Sequence, residues 1–149
     1  MRSVRATAWR NGKLGLPVLF LCATLLAVGV PSTAGAEPQA LATDDRGFIN
    51  TAARCNKPQF AVAVGRTQQS LVAICVDGRG HYTYHGVRLK DNSALDVPAK
   101  ATADGKFIVE NAGFTYTFSA KELVIASGSR VLRKEPMVAY IEPRLPSNG

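Results

Sequence analysis

The chain has 149 residues, with 18 Lys and Arg against 11 Asp and Glu, for a net charge of +7. Four of the basic residues, Arg2, Arg5, Arg10 and Lys13, and none of the acids lie in the first 36 positions. Removing those 36 residues leaves 113, with 14 basic groups against 11 acidic ones, a net of +3 spread singly along the chain; that excludes a strongly basic nucleic-acid-binding domain and leaves enough chain for one small core.

The first segment reads as an export signal. Its four cations precede an apolar run from Leu14 to Val30, and Ser32-Thr33-Ala34-Gly35-Ala36 follows, with Ala34 and Ala36 in the small-x-small arrangement of a secretory cleavage site. Cleavage is predicted after Ala36, which makes the protein secreted and extracytoplasmic. The alternative is a retained N-terminal membrane anchor, with the basic end inside and the body still exported. Pro17 and Gly29 interrupt the run, which is only about 17 residues long and so favours the cleaved form. No Arg-Arg pair precedes it, and Cys22 follows Leu21 rather than a small residue, so Cys22 reads as an apolar side chain and not as a lipid anchor.

Residues 37–42 read as a flexible arm. From Thr43 to Cys55 the pattern predicts one short helix: Thr43 can cap it, Asp44 and Asp45 suit its positive end, and Phe48, Ala52 and Cys55 recur at i, i+4 and i+7. After Pro58 the period becomes two. Phe60, Val62 and Val64 alternate with small residues, Gly65 to Gln68 forms a turn, and Leu71 to Val76 is the continuous apolar run of a strand covered on both faces. Asp77-Gly78 turns the chain, and His81 to His85 returns as a strand. Residues 87–103 are polar and irregular, centred on Asp91-Asn92-Ser93, with at most a short strand near Leu95 to Val97. Asp104-Gly105 is another turn. Two hairpins follow, Phe107–Glu110 with Phe114–Phe118 around Asn111-Ala112-Gly113, and Leu123–Ala126 with Arg130–Leu132 around Ser127-Gly128-Ser129. Pro136 makes Met137 to Ile141 an edge strand. Val76 to Tyr84 echoes Val109 to Phe118, as two hairpins of like turn chemistry would.

Cys55 and Cys75 are the cysteines left after the signal, and an even count in an oxidising compartment predicts one disulfide. It would close a loop of about 20 residues and contribute about 3 kcal/mol by restricting the unfolded chain. His81 and His85, four apart on a strand, would lie about 13 Å apart, too far to share a metal ion. Tyr82 and Tyr84 point to the other face and, with Phe114, Tyr116 and Phe118, supply cross-strand aromatic pairs or an aromatic platform. Asp77, Asp91, Asp96 and Asp104 sit in turn-like contexts rather than as an acid–base pair, and no serine lies in a nucleophile elbow.

The Ala-x-Ala signal, Cys55, the Ile74-Cys75 strand and the stretch Tyr82-Thr83-Tyr84-His85-Gly86 together resemble small exported actinobacterial proteins of unknown function. The resemblance covers most of residues 50–141 and implies export without any assigned activity.

These observations predict a mainly all-β protein: a signal over residues 1–36 and one β-rich domain over 43–142. The domain is a small antiparallel barrel or sandwich with one short N-terminal helix and one Cys55–Cys75 disulfide, and a disordered tail follows over 143–149. The functional expectation is a non-enzymatic binding protein of the cell envelope or extracellular space, with no catalytic residue, no metal ligand and no cofactor. Its expected partner is an envelope or extracellular protein, with a glycan or lipid as the other classes, no nucleic acid, and a membrane only through an uncleaved signal. Arg79, His81, Tyr82, Tyr84, His85 and Arg88 form the candidate binding surface, together with a long loop from Arg88 to Ala103. The alternative is a barrel that holds a small apolar molecule in a cavity lined by Val64, Ile74, Tyr84 and Tyr116. The remaining alternative, an envelope hydrolase, requires an acid–base pair converging in a cleft.

Overall fold

The computed structural model describes residues 41–145; the signal segment, most of the arm and the end of the tail lie outside the described residues. Eleven strands follow one another: β1 Thr43–Asp44, β2 Gly47–Phe48, β3 Phe60–Arg66, β4 Ser70–Val76, β5 Tyr82–Arg88, β6 Ser93–Ala101, β7 Phe107–Asn111, β8 Phe114–Phe118, β9 Glu122–Ser127, β10 Arg130–Pro136 and β11 Ala139–Ile141. β1 and β2 form a small hairpin of their own. The other nine form one antiparallel sheet in the order β10-β9-β8-β7-β6-β5-β4-β3-β11.

That order forces the sheet to curl. The two edges, β10 and β11, are consecutive in the chain and separated only by Met137 and Val138. Nine flat strands about 4.8 Å apart would hold their edges roughly 38 Å apart. Three Cα steps from Pro136 to Ala139 span at most about 11 Å, so the edges come together and the sheet becomes an open barrel. Met137 N–H donates to the Lys121 carbonyl (2.9 Å) and Val138 N–H to the Arg66 carbonyl (2.7 Å), fixing the crossing strap at both sides. β6 makes the bend: Ser93 to Ala99 pair with β5, and Lys100 and Ala101 pair with β7.

The interior holds Ala63, Val72, Ile74, Tyr84, Ala99, Val109, Phe118, Leu123 and Ile125. A second apolar layer lies on the outside of β3, β4 and β5. There Phe48, Ala53 and Cys55 cover Ala61, Val64, Leu71, Ala73, Cys75 and Val87. β4 is therefore buried on both faces, as its unbroken apolar run predicts. The Cys55–Cys75 disulfide, with Cα atoms 5.5 Å apart, ties the covering segment to β4.

Three expectations are corrected. No helix occurs among the described residues, and the stretch predicted to be helical is the β1–β2 hairpin with the turns after it. Asp44, predicted to favour a helix start, instead accepts the Arg46 N–H at 2.9 Å in a local turn. Gly47 has φ +114, and a Cβ there would stand 2.7 Å from the Ala53 carbonyl oxygen, a backbone geometry no helix contains. Second, the Phe60, Val62, Val64 alternation breaks at a bulge between Ala61 and Ala63. The bulge places Val64 in the outer layer while Ala63 faces the interior. Third, the long loop from Arg88 to Ala103 is mostly β6. Leu95, Val97 and Ala99 turn inward between exposed neighbours, and only residues 89–92 form the connecting turn.

Candidate functional site

A cleft of about 540 Å³ opens into the curled sheet between β4–β6 and β8–β10. The register explains its walls. Tyr84, Gly86 and Arg88 alternate on the inward face of β5. Gly86 stands opposite Val72 and Leu95, and Arg88 opposite Ser70 and Ser93. From the facing side β8 supplies Phe114 and Tyr116, β9 Leu123 and Ile125, and β10 Leu132 and Arg133. Gly86 adds no side chain, and the Tyr84 ring lies over it: a Cβ at position 86 would meet the Tyr84 hydroxyl at 2.8 Å.

Tyr84 is 3% exposed and its ring centre lies 6.0 Å from that of Tyr116. Its hydroxyl, positioned over Gly86 in the cleft lining, has no hydrogen-bond partner among the described residues. Burial, reinforced by Tyr116 and Glu135, pushes the phenol well above the ordinary tyrosine range, so it is a neutral donor. Ser70, 6% exposed, also lines the cleft with a hydroxyl unpartnered among the described residues. At the mouth, Arg88 donates to Asp91 through Nε (3.0 Å) and Nη2 (2.6 Å), which holds the Asp91 carboxyl far below the usual range.

A buried acid stands behind the cleft. Glu135, 2% exposed, follows Arg133 on the inward face of β10. Its Oε2 accepts from Thr67 Oγ1 at 2.6 Å, and Arg133 Nη2 lies 2.9 Å from Oε1, an ion pair off the line that a hydrogen bond needs.

A smaller cleft, about 320 Å³, lies on the outer side between the covering segment and β5–β6. Arg46, Arg54, Asn56 and Asp96 line it, with His85, which is 4% exposed. His85 Nδ1 is 3.4 Å from Asp96 Oδ2, and Nε2 has no partner among the described residues. Burial lowers the His85 pKa and Asp96 opposes that shift.

The six residues expected to form one binding surface are thus divided. Arg79 and His81 lie in the exposed turn before β5, where Asp77 Oδ1 accepts both backbone N–H groups and His81 Nδ1 stands 3.1 Å from Oδ2. Tyr82 is half-buried against Phe107, ring centres 5.3 Å apart. Tyr84 and Arg88 belong to the inner cleft and His85 to the outer one. Alternation along β5 separates the faces, and the strand places Tyr82 and Arg88 about 20 Å apart. Of the four residues expected to line a cavity, Tyr84 and Tyr116 do; Ile74 is in the interior without reaching the cleft, and Val64 is in the outer layer. Among the described residues no group of three or more His, Cys, Asp or Glu is placed to hold a metal ion.

Sequence reasoning missed Ser70, Gly86, Leu123, Arg133 and Glu135. The first two sit in strands where nothing marks a serine or glycine as cleft-lining. Arg133 and Glu135 look like a solvated charge cluster until the β9–β10 register turns them inward.

No protein-family model matches this chain, and searches of curated proteins and of solved structures gave no match.

Proposed function

We propose that this is an exported, non-enzymatic binding protein that takes a small, mainly apolar molecule into the inner cleft. The observation that carries the reading is the cleft itself. Its volume of about 540 Å³ falls in the range of small-molecule sites, roughly 300–1,000 Å³. Leu95, Leu123, Ile125, Phe114 and Tyr116 form an apolar wall, and the hydroxyls of the mostly buried residues Tyr84 and Ser70 are left for orientation. Export is supported by the signal-like first 36 residues and by the disulfide, a bond that persists in oxidising compartments. A protein-binding surface on a long loop has less support, because the segment expected to supply that loop is β6.

The test is titration of the oxidised full chain with N-phenylnaphthylamine, an uncharged fluorophore that brightens in apolar surroundings. Saturable binding is expected, together with its loss in Ser93→Trp. Ser93 is an exposed residue of the cleft mouth, so the large ring blocks entry without disturbing the interior. Absence of saturable binding, or equal binding by Ser93→Trp, overturns the reading.

A further inference from the structure

The lining of the inner cleft is lopsided in charge. Arg88 and Arg133 both face it, and neither an aspartate nor a glutamate does. Each arginine already has a carboxylate neighbour, but each pairing leaves donors over. Arg88 uses Nε and Nη2 on Asp91, so Nη1 remains. Arg133 places only Nη2 against Glu135, so its Nε and Nη1 are without a partner among the described residues. Asp91 is exposed beyond the mouth, and Glu135 is enclosed with Thr67. Asp91 and Glu135 balance the two guanidinium charges from outside the lining, so the cleft holds arginine donors to spare and no acid in its own lining.

Neutral donors complete the set. The Ser70–Arg88–Ser93 register sets Ser70 beside Arg88 at one level of the mouth. Tyr84, two residues before Gly86, supplies a phenol hydroxyl further along the same face. Both hydroxyls belong to residues more than nine-tenths buried, and both lack a partner among the described residues. A wholly apolar ligand would leave the two hydroxyls unpaired against it, at a free-energy cost, and would make no use of the spare donors of Arg88 and Arg133, which solvent reaches. A ligand with acceptor oxygens at one end satisfies them, and a planar carboxylate matches the arginine fork.

We propose that the natural ligand is a single-chain amphiphilic carboxylic acid, its carboxylate held at the mouth by Arg88, Arg133 and the Ser70 hydroxyl, and its apolar body against Leu123 and Ile125. This inference rests on the inner cleft being a binding site, and adds the chemical class of what binds there. Charge-assisted hydrogen bonds separate an acid from its neutral analogues, whereas the apolar wall treats the shared chain alike.

The experiment is calorimetric titration of the oxidised full chain at neutral pH with dodecanoic acid, dodecanol and methyl dodecanoate, which share one apolar chain. The acid is expected to bind at least about tenfold more tightly than either neutral analogue, as charge-assisted contacts imply. Arg88→Gln is expected to remove most of that preference, weakening the acid by a larger factor than methyl dodecanoate. Arg88 is half exposed, so its variant folds, which near-ultraviolet circular dichroism checks. Arg133→Lys keeps a cation beside Glu135 and is the second variant, with the same expectation. Equal affinity for all three ligands overturns the acid head group and leaves the apolar-cleft reading standing. Preference retained in both arginine variants overturns the assignment of the head group to this mouth. Absence of binding by all three, together with no fluorophore binding, overturns the cleft reading itself.

Discussion

Phe118 reaches across the curled sheet from β8 and lies on the backbone of Gly65 in β3, where a Cβ would stand 2.6 Å from its Cε2. The two residues are five places apart in sheet order, and Tyr140 of β11 flanks the same ring at 5.9 Å between centres. This contact packs β8 against β3 across the interior of the curled sheet. Gly65→Ala gains a little through a less flexible unfolded chain, but the methyl must displace a fully buried ring and the Met137 sulfur. A net loss of about 1–3 kcal/mol is expected, as for overpacked cores. Urea denaturation measures it, and in a Phe118→Leu background the same substitution should be better tolerated, since the two sites share one contact.

Among the described residues Glu135 is the one buried acid, and Thr67 is what its carboxylate leans on. Thr67 Oγ1 donates to Glu135 Oε2 and accepts from the backbone N–H of Gln69 (3.0 Å) and Ser70 (2.8 Å). One hydroxyl therefore shapes the β3–β4 turn and pins it to β10. Thr67→Val keeps the shape, removes the donor and leaves buried groups unpaired, so a loss of about 2–3 kcal/mol is expected, against less than about 1 for Thr67→Ser. Equal stability of the Val and Ser variants in urea would show that the turn holds without this bond.

The outer layer carries a pH dependence through His85. Burial holds its imidazole below the ordinary value of about 6.5, with Asp96 only partly offsetting the shift, and Arg46 and Arg54 line the same cleft. The unfolded chain therefore takes up the proton more readily than the folded one. Stability is complete above about pH 7 and falls as pH drops below about 6.5, by at most about 1.4 kcal/mol per pH unit until the folded imidazole protonates. Asp44 and Asp104, whose cationic partners hold them low, lose their contributions only in the carboxylate range, at more acidic pH. Urea midpoints between about pH 7 and 5 should decline in the parent and stay flatter in His85→Gln. Parallel curves would remove His85 as the cause.

Local signals carried most of the fold. Asp77-Gly78, Asp104-Gly105, Asn111-Ala112-Gly113 and Ser127-Gly128-Ser129 mark turns whose chemistry is local, so the hairpins around them form where the sequence predicts. Leu71–Val76 announced a doubly covered strand, and the two cysteines their bond. The failures lie where a local pattern has two solutions. Thr43 to Cys55 has helical spacing, yet Gly47 and the Asp44 turn settle it as a hairpin only once the chain lies over β4. In β6, Pro98 and the polar residues around it mask the inward alternation of Leu95, Val97 and Ala99. The cleft was the least legible part. Its lining comes from six strands, and whether Arg133 or Ser70 faces inward depends on register and on the β10 bulge near Leu132 rather than on any neighbour in sequence.

Gly86 separates stability from binding. Its backbone is of the ordinary kind, so Ala fits the main chain, but the new methyl would overlap the Tyr84 ring carbon Cε1 and stand 2.8 Å from the hydroxyl oxygen. The nearest overlap is with the ring carbon Cε1, so the whole Tyr84 ring must move, and the cleft it lines is the space into which it can move. The strain is therefore transferred from the core to the cavity. Gly86→Ala is expected to change the urea midpoint little, since the clash and the less flexible unfolded chain offset to within about 1 kcal/mol. Its affinity for the uncharged fluorophore is expected to fall by more than about tenfold, because the displaced ring occupies ligand volume and moves a phenol donor of the lining. A variant that loses stability but keeps its affinity would mean that Tyr84 is locked in the core and takes no part in the cleft.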